Sequence, residues 1–347
     1  MYDCAMVSSN KSAEAVSFAM HARHGALGLL LVLGVGACGS GSTSSGALTG
    51  PERLSDTGLY ANFASRTLSS AIVSVEPRYP LWSDGAEKQR YLLLPANAQI
   101  DTSNMDDWKF PVGTKVWKTF TLAGRATETR LLEKRREPDE GGWFQMSYAW
   151  LDDESDAVAA PDGVKNVRGT TYEIPARRDC GNCHYRGEKP VIGISALQLS
   201  ATTDGADSPS MAALLARGWL SVAPDRRYTP PGAPGVRDAL GYLNGNCGYC
   251  HYSKSAVAAE VKVFMDLSVD DQAPEDTQAY RSLVGQPIHH FPDVGLEGLV
   301  VPGKPDKSLV HYRMDRRDEA QMPPIDSHEI DQTGVATVDA WIRGLAP

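Results

Sequence analysis

The residues best suited to do chemistry form two copies of the motif Cys-x-x-Cys-His, at positions 180–184 and 247–251. This motif is the attachment signature of covalently bound c-type haem. On one helical turn, positions i, i+3 and i+4 share a face, so two thiols can form thioethers with the haem vinyl groups while the imidazole ligates the iron. The motifs therefore predict two covalently bound haem c groups.

Each member of the two motifs has a predicted role. The attachment thiols are those of Cys180, Cys183, Cys247 and Cys250, and the proximal iron ligands are His184 and His251. A zinc site, a thioredoxin-like redox pair or structural disulfides would explain the cysteines but not the histidine that follows each pair. The pairs also lie much farther apart than the roughly 15–20 residues usual between zinc-ribbon pairs.

The amino terminus carries an export signal. Basic residues at positions 21–24 precede an apolar run at 26–37, which is shorter than the about 20 residues that span a bilayer. Residues 1–37 are therefore predicted to be a signal peptide, whose true start we expect at Met20. Export suits the motifs, because haem is attached to them on the outer side of the bacterial inner membrane.

The end of the signal, Val-Gly-Ala-Cys, resembles a bacterial lipobox, which predicts that Cys38 is lipidated and becomes the first mature residue. Residues 38–55, rich in Ser and Gly, are then a flexible tether. The alternative is an ordinary cleaved signal with Cys38 lost or free. Because Cys4 falls in the signal segment, no cysteine is left for a disulfide. We expect a lipid-anchored protein on the periplasmic side of a bacterial membrane or in the outer membrane.

Residues 56–175 show the composition and turn pattern of a β-rich domain. Strands are predicted at 89–94, 114–122, 127–135, 142–152 and 170–174. The predicted fold class is multidomain α+β, in which an antiparallel β-sandwich or barrel-like domain precedes a mainly α-helical cytochrome c-like domain. For the charged residues of these strands we expect a solvated face with cross-strand ion pairs. They are Asp84, Lys88, Arg90, Glu128, Arg130 and Glu133.

Residues 231–347 resemble a class I cytochrome c domain. Two segments have apolar residues at helical spacing, one leading into the second motif and one near the carboxy terminus. The first contains Val236, Ala239, Leu240 and Leu243, and the second contains Val335, Val338, Trp341, Ile342 and Leu345. In such domains the two terminal helices pack on each other beside the haem.

Met322 is the predicted sixth ligand of the second haem iron. It is followed by Pro323 and Pro324, which force an extended backbone that can cross the haem face. Met314 lies inside the preceding predicted helix, where a packing role is favoured, and His311 is the other nearby competitor.

The first haem, assigned to residues 176–230, has no sixth ligand that the sequence identifies. Met211 lies in a helical pattern where a core role is favoured. Met265, His289, His290 and a vacant site are the alternatives.

Four further strings accompany the motifs. They are Pro-Leu-Trp-Ser-Asp-Gly-Ala-Glu-Lys at 80–88, Phe-Pro-Val-Gly-Thr at 110–114, Glu-Thr-Arg-Leu at 128–131 and Met-Pro-Pro at 322–324. From about residue 55 to the end, this order of features resembles a family of bacterial dihaem c-type cytochrome lipoproteins. The resemblance implies an envelope electron-transfer protein.

Two function classes follow. The first is a membrane-tethered electron carrier whose donor and acceptor are envelope redox proteins. The second is a dihaem oxidoreductase, for instance peroxidase-like, with an open or labile first haem. The formal net charge of −9 argues against a nucleic-acid partner and favours a basic redox partner.

Overall fold

The structure is a computed structural model that describes residues 49–137, 142–184, 190–200 and 207–346. These residues belong to one unit, which spans Leu48–Pro347. The predicted signal peptide, the lipidation site Cys38 and most of the tether lie outside the described residues. The assignments made for them stay predictions.

The strands of the β-rich part pair in chain order. They are Tyr60–Asn62 (β1), Thr67–Leu68 (β2), Val73–Ser74 (β3), Glu87–Leu93 (β4), Lys115–Leu122 (β5), Arg125–Lys134 (β6), Trp143–Trp150 (β7) and Ala157–Ala159 (β8). Strands β3 to β8 form a six-stranded antiparallel meander, and β1 and β2 form a separate two-stranded sheet. With the helices described below, these sheets confirm the mixed α+β class.

The four long strands, β4 to β7, confirm the predictions made from alternating and β-branched residues, with ends that differ by a few residues. The strand predicted at 170–174 is wrong. That segment follows a 3₁₀ turn at Val167–Gly169 and makes only a single bridge, between Ile174 and Val164. Its side chains instead cover the sheet, where Tyr172 and Ile174 pack with Phe120.

Both faces of the six-stranded sheet are buried. Successive side chains of a strand point to opposite faces. One face carries a row of Tyr91, Trp117, Leu131 and Met146, which packs with residues of the amino-terminal segment such as Leu54.

The second face carries Leu92, Val116 and Leu132, which pack against Leu199 and Met211. The expected solvated face is therefore wrong for this side of the sheet. Arg90 is only 5% exposed and Glu128 is 0% exposed, because the segment around the first motif covers them.

The helices follow the sheet in the chain. They are Arg177–His184 (α1), Ala196–Leu199 (α2), Pro209–Ala216 (α3), Pro234–Asn246 (α4), Ala256–Val261 (α5), Gln278–Leu283 (α6), Leu309–Met314 (α7) and Gln332–Gly344 (α8). Helices α4 and α8 confirm the two amphipathic helices predicted from apolar spacing. They pack on each other in one core, to which α4 contributes Leu240 and Leu243 and α8 contributes Val338 and Trp341.

Gly334 sets the closeness of this helix pair, since a Cβ at that position would lie 2.2 Å from Cζ of Tyr242. We predict that Gly334→Ala lowers the free energy of unfolding by about 1–3 kcal/mol, the usual cost of overpacking. Urea denaturation of the mature protein measures this. Gly344→Ala, at the other end of α8 with no atom within 4 Å of the added Cβ, is the matched control and should be neutral. Equal effects at the two positions would contradict the packing account.

Candidate metal centre

The first motif lies on helix α1, so Cys180, Cys183 and His184 share one helical face as the spacing predicted. The helix begins where the Arg177 amide donates to the Pro161 carbonyl at 2.8 Å. The side chains of Cys180, Cys183 and His184 are half-buried. The thiol face is therefore partly covered by neighbouring segments and partly open to solvent.

His184 is oriented by a backbone carbonyl. Its Nδ1 lies 2.5 Å from the carbonyl oxygen of Pro190. Because a carbonyl can only accept, Nδ1 carries the proton and Nε2 keeps its lone pair, which is the arrangement of a metal-binding histidine. Burial lowers the pKa of His184 to about 4, so the imidazole is neutral at pH 7.

The second motif follows α4, and its histidine is also oriented by a backbone carbonyl. The His251 amide donates to the Cys247 carbonyl at 2.9 Å, which folds the motif into a turn. Nδ1 of His251 lies 3.2 Å from the carbonyl oxygen of Val263, again leaving Nε2 for a metal. Burial lowers the pKa of this imidazole as well.

All four motif cysteines are free thiols that are partly exposed. Burial raises the pKa of Cys183 to about 11 and that of Cys247 to about 12. A thioredoxin-like pair works through a thiolate whose pKa is lowered, so these environments do not favour that alternative.

A zinc site shared by the two cysteine pairs also lacks a matching geometry. Within the described ranges, no three His, Cys, Asp or Glu side chains converge as ligands of a metal ion. A structural zinc ion takes four such ligands. A haem iron differs, because its porphyrin supplies four nitrogens and the protein needs to provide only the axial ligands.

The two motifs adjoin one cavity of about 80 Å³. Cys183 lines it from the first motif, and Gly248 and Tyr249 line it from the second. Tyr249 is held by hydrogen bonds to Gly193 and Gln198, and burial raises its pKa to about 12.

The backbone of Met322 is held by that of Arg313, on helix α7. The Met322 amide donates to the Arg313 carbonyl at 2.8 Å, and the positive charge of Arg313 contributes to lowering the pKa of His251. The two alternative ligands of the second haem iron, Met314 and His311, make other contacts. Met314 is buried in the helical core, and Nε2 of His311 lies 3.5 Å from an Asp339 carboxylate oxygen.

The residues considered as the sixth ligand of the first haem iron lie in different parts of the structure. Met211 and Met265 are buried in two different cores, whereas His289 and His290 are exposed. Met105, which the sequence analysis did not consider, is partly buried and lines the same cavity as Cys183. It lies in a loop between strands, where no periodic pattern marks it.

A further set is a row of basic side chains on the second face of the sheet; the sequence analysis placed Arg90 and Arg130 on a solvated face and did not consider Lys118. Arg90, Lys118 and Arg130 stand in register on β4, β5 and β6. Lys118 and Arg130 lie close enough to the first motif that their charges contribute to lowering the pKa of His184. We call these three residues the basic row.

The segment at 80–88, which had no role in the sequence analysis, contacts both the end of α4 and the loop before α8. The Trp82 amide donates to Oδ1 of Asn246 at 2.7 Å, next to the second motif. Its indole Nε1 donates to the Glu329 carbonyl at 2.9 Å. The Asp84 carboxylate accepts from the amides of His328 and Glu329 at 2.9 and 3.0 Å. These contacts dock the loop that follows Met322.

Comparisons of the chain with protein-family models, with curated proteins and with solved structures found no match. In the part of the chain that the structure describes, no helix is both long and apolar enough to cross a bilayer.

The docking of the Met322 loop on Asp84 can be tested by stability. Asp84→Asn keeps a residue that tolerates the positive φ of 50° at this position but removes the charge and one acceptor oxygen. We expect the free energy of unfolding to fall by about 1–3 kcal/mol, the range for hydrogen bonds to charged groups. Urea denaturation measures it.

Asp293→Asn is the matched control, because that carboxylate accepts from the Gly295 amide in an exposed turn. It should change stability by about 0.5 kcal/mol or less. A similar loss in both variants would show that Asp84 does not anchor the loop.

Proposed function

We propose that this chain is a lipid-anchored dihaem c-type cytochrome that carries electrons in the bacterial cell envelope. Haem attached at Cys180 and Cys183 takes His184 as its proximal ligand, and haem attached at Cys247 and Cys250 takes His251. Envelope redox proteins act as donor and acceptor, and the lipid on Cys38 keeps the carrier near them.

The observation that carries this proposal is the shared geometry of the two histidines. In both motifs a backbone carbonyl faces Nδ1, at 2.5 Å for His184 and 3.2 Å for His251. Each imidazole is thereby held in the tautomer that offers Nε2. The carbonyls come from Pro190 and Val263, which lie outside the motifs, so the sequence pattern alone does not create this agreement.

Two helices of the carboxy-terminal part support the class I cytochrome c domain of this proposal. Helix α4 leads into the second motif and packs against α8. Met322, in the loop before α8, is the sixth ligand in this proposal. Haem iron with His and Met ligands has a higher reduction potential than bis-His haem, which suits electron transfer.

We predict that Met322→Ala removes the sulfur-to-iron charge-transfer absorption of the oxidised protein. Visible and near-infrared spectra of the mature protein measure this band. Met314→Leu, a volume-conserving change in the buried core, is the control and should keep the band. If the band persists in Met322→Ala, the ligand assignment is wrong.

The second candidate function, a dihaem oxidoreductase, is favoured by one observation. The methionines proposed for the first haem, Met211 and Met265, pack in hydrophobic cores. The alternative histidines, His289 and His290, are exposed. In this candidate the first iron keeps an open or labile position and receives electrons from the second haem.

Binding of carbon monoxide distinguishes the electron carrier from the oxidoreductase. A carrier with two six-coordinate irons should show little change in its reduced spectrum on adding the gas, whereas an oxidoreductase should bind one equivalent per chain. Rapid reoxidation by one equivalent of peroxide would add support for the enzyme. A titration that yields no carbon monoxide complex and no peroxide reaction would rule it out.

A further inference from the structure

The side chain of Tyr249 joins the second motif to the segment that follows the first. Tyr249 stands between the two cysteines of its motif. Its hydroxyl is hydrogen-bonded to the backbone of Gly193 and to the side chain of Gln198, both in residues 190–198. All three residues line the cavity that the two motifs adjoin. A side chain of one motif therefore contacts the segment that supports the other.

The segment at 190–198 also holds the proximal histidine of the first motif. Pro190, at its start, supplies the carbonyl oxygen that lies 2.5 Å from Nδ1 of His184. Gly193 follows closely in the chain and has a positive φ of 86°, where any other residue would be strained. Only a short, constrained stretch of backbone therefore separates the Tyr249 hydroxyl from the carbonyl that orients His184.

Gln198, the second partner of the hydroxyl, is itself fixed by several hydrogen bonds. Its Oε1 accepts from the Tyr79 amide at 2.9 Å, and its Nε2 donates to the Tyr79 carbonyl at 3.1 Å. Its own amide donates to Oγ of Ser195, which caps helix α2. The side chain is also buried. Because buried networks with satisfied members are rigid, Gln198 offers the Tyr249 hydroxyl a fixed partner.

The Tyr249 hydroxyl keeps its proton at pH 7. Burial raises the pKa of Tyr249 to about 12, although the positive charge of Arg90 acts in the opposite direction. A neutral hydroxyl can both donate and accept a hydrogen bond. Its removal therefore changes the hydrogen bonds to residues 190–198 without changing the charge of the site.

We propose that Tyr249, a residue of the second motif, is a positioning residue for His184, the proximal ligand of the first haem. This inference rests on the proposed function. The Tyr249 hydroxyl holds residues 190–198, and these hold the imidazole through the Pro190 carbonyl. A hydrogen bond donated by Nδ1 raises the basicity of a ligating imidazole, which favours ferric iron. Tyr249 thus influences the reduction of the haem that is attached to the other motif.

The test uses the mature dihaem protein and Tyr249→Phe, which keeps the ring and removes the hydroxyl. The Pro190 carbonyl is then held less firmly, so its hydrogen bond with His184 weakens. We expect the reduction equilibrium of the first haem to shift toward the ferrous form by about threefold, the effect of weakening one hydrogen bond. The equilibrium of the second haem should stay unchanged, and the Nδ1 proton of His184 should exchange with deuterium faster. Spectroelectrochemical titration and NMR spectra of the reduced protein measure these effects.

Tyr79→Phe is the matched control. The buried Tyr79 hydroxyl has no hydrogen-bond partner among the described residues, and the bonds of Tyr79 to Gln198 come from its backbone. This variant should change neither signal. Gln198→Leu removes the other partner of the Tyr249 hydroxyl and should shift the first haem in the same direction. It provides the test if Tyr249→Phe does not fold.

The outcomes separate this inference from the proposed function. Intact mass of each preparation first counts the covalent haems, and the loss of one reduction step when Cys180 and Cys183 are both changed to Ala identifies the first haem. Two haems with Tyr249→Phe behaving like Tyr79→Phe would overturn the positioning role alone.

A shift confined to the second haem would also overturn the positioning role, because Tyr249 would then act within its own motif. So would a shift of the first haem with unchanged proton exchange, because His184 would have kept its hydrogen bond. A chain without haem on Cys180 and Cys183 would overturn the proposed function and this inference together.

Discussion

The six-stranded sheet has two faces that must be covered, and its second face is covered by the segment that carries the first Cys-x-x-Cys-His motif. Leu92, Val116 and Leu132 on the sheet pack with Leu199 and Met211 from beyond that motif. Helix α1 lies against β7. Since the hydrophobic effect drives this burial, the sheet and the first motif are parts of one folding unit. In the proposed cytochrome, the sheet is thus one wall of the first haem site.

The segment before β4 also makes contacts that hold the second motif in place. Tyr79, just before the 80–88 string, exchanges hydrogen bonds with Gln198 of α2, with lengths of 2.9 and 3.1 Å. Its ring lies against Gly241 of α4 and its backbone carbonyl lies against Gly245, so a Cβ at either position would clash. Trp82 then reaches Asn246 at the end of that helix. One stretch of chain therefore contacts both the segment after the first motif and the helix before the second.

Patterns within short stretches of sequence predicted the strands and helices whose formation depends on neighbouring residues. Alternating and β-branched residues predicted β4 to β7, and apolar residues at helical spacing predicted α4 and α8. The spacing of the first motif predicted that Cys180, Cys183 and His184 share one face. The basic row could not be found this way, because Arg90 and Lys118 alternate like any solvated strand residues and only tertiary packing buries them. The contact of Asp84 with the Met322 loop joins residues far apart in sequence, so no window of sequence contains it. The predicted strand at 170–174 failed because its apolar residues serve to cover the sheet rather than to extend it.

The central claim is that both motifs carry covalent haem. A pyridine haemochrome assay of the mature protein, produced with a c-type maturation system and compared with its protein concentration, tests it directly. The account predicts two haems per chain, and one haem in a variant with Cys180 and Cys183 both changed to Ala. One haem in the unaltered protein would leave the first motif without the role assigned to it. No haem would contradict the account as a whole.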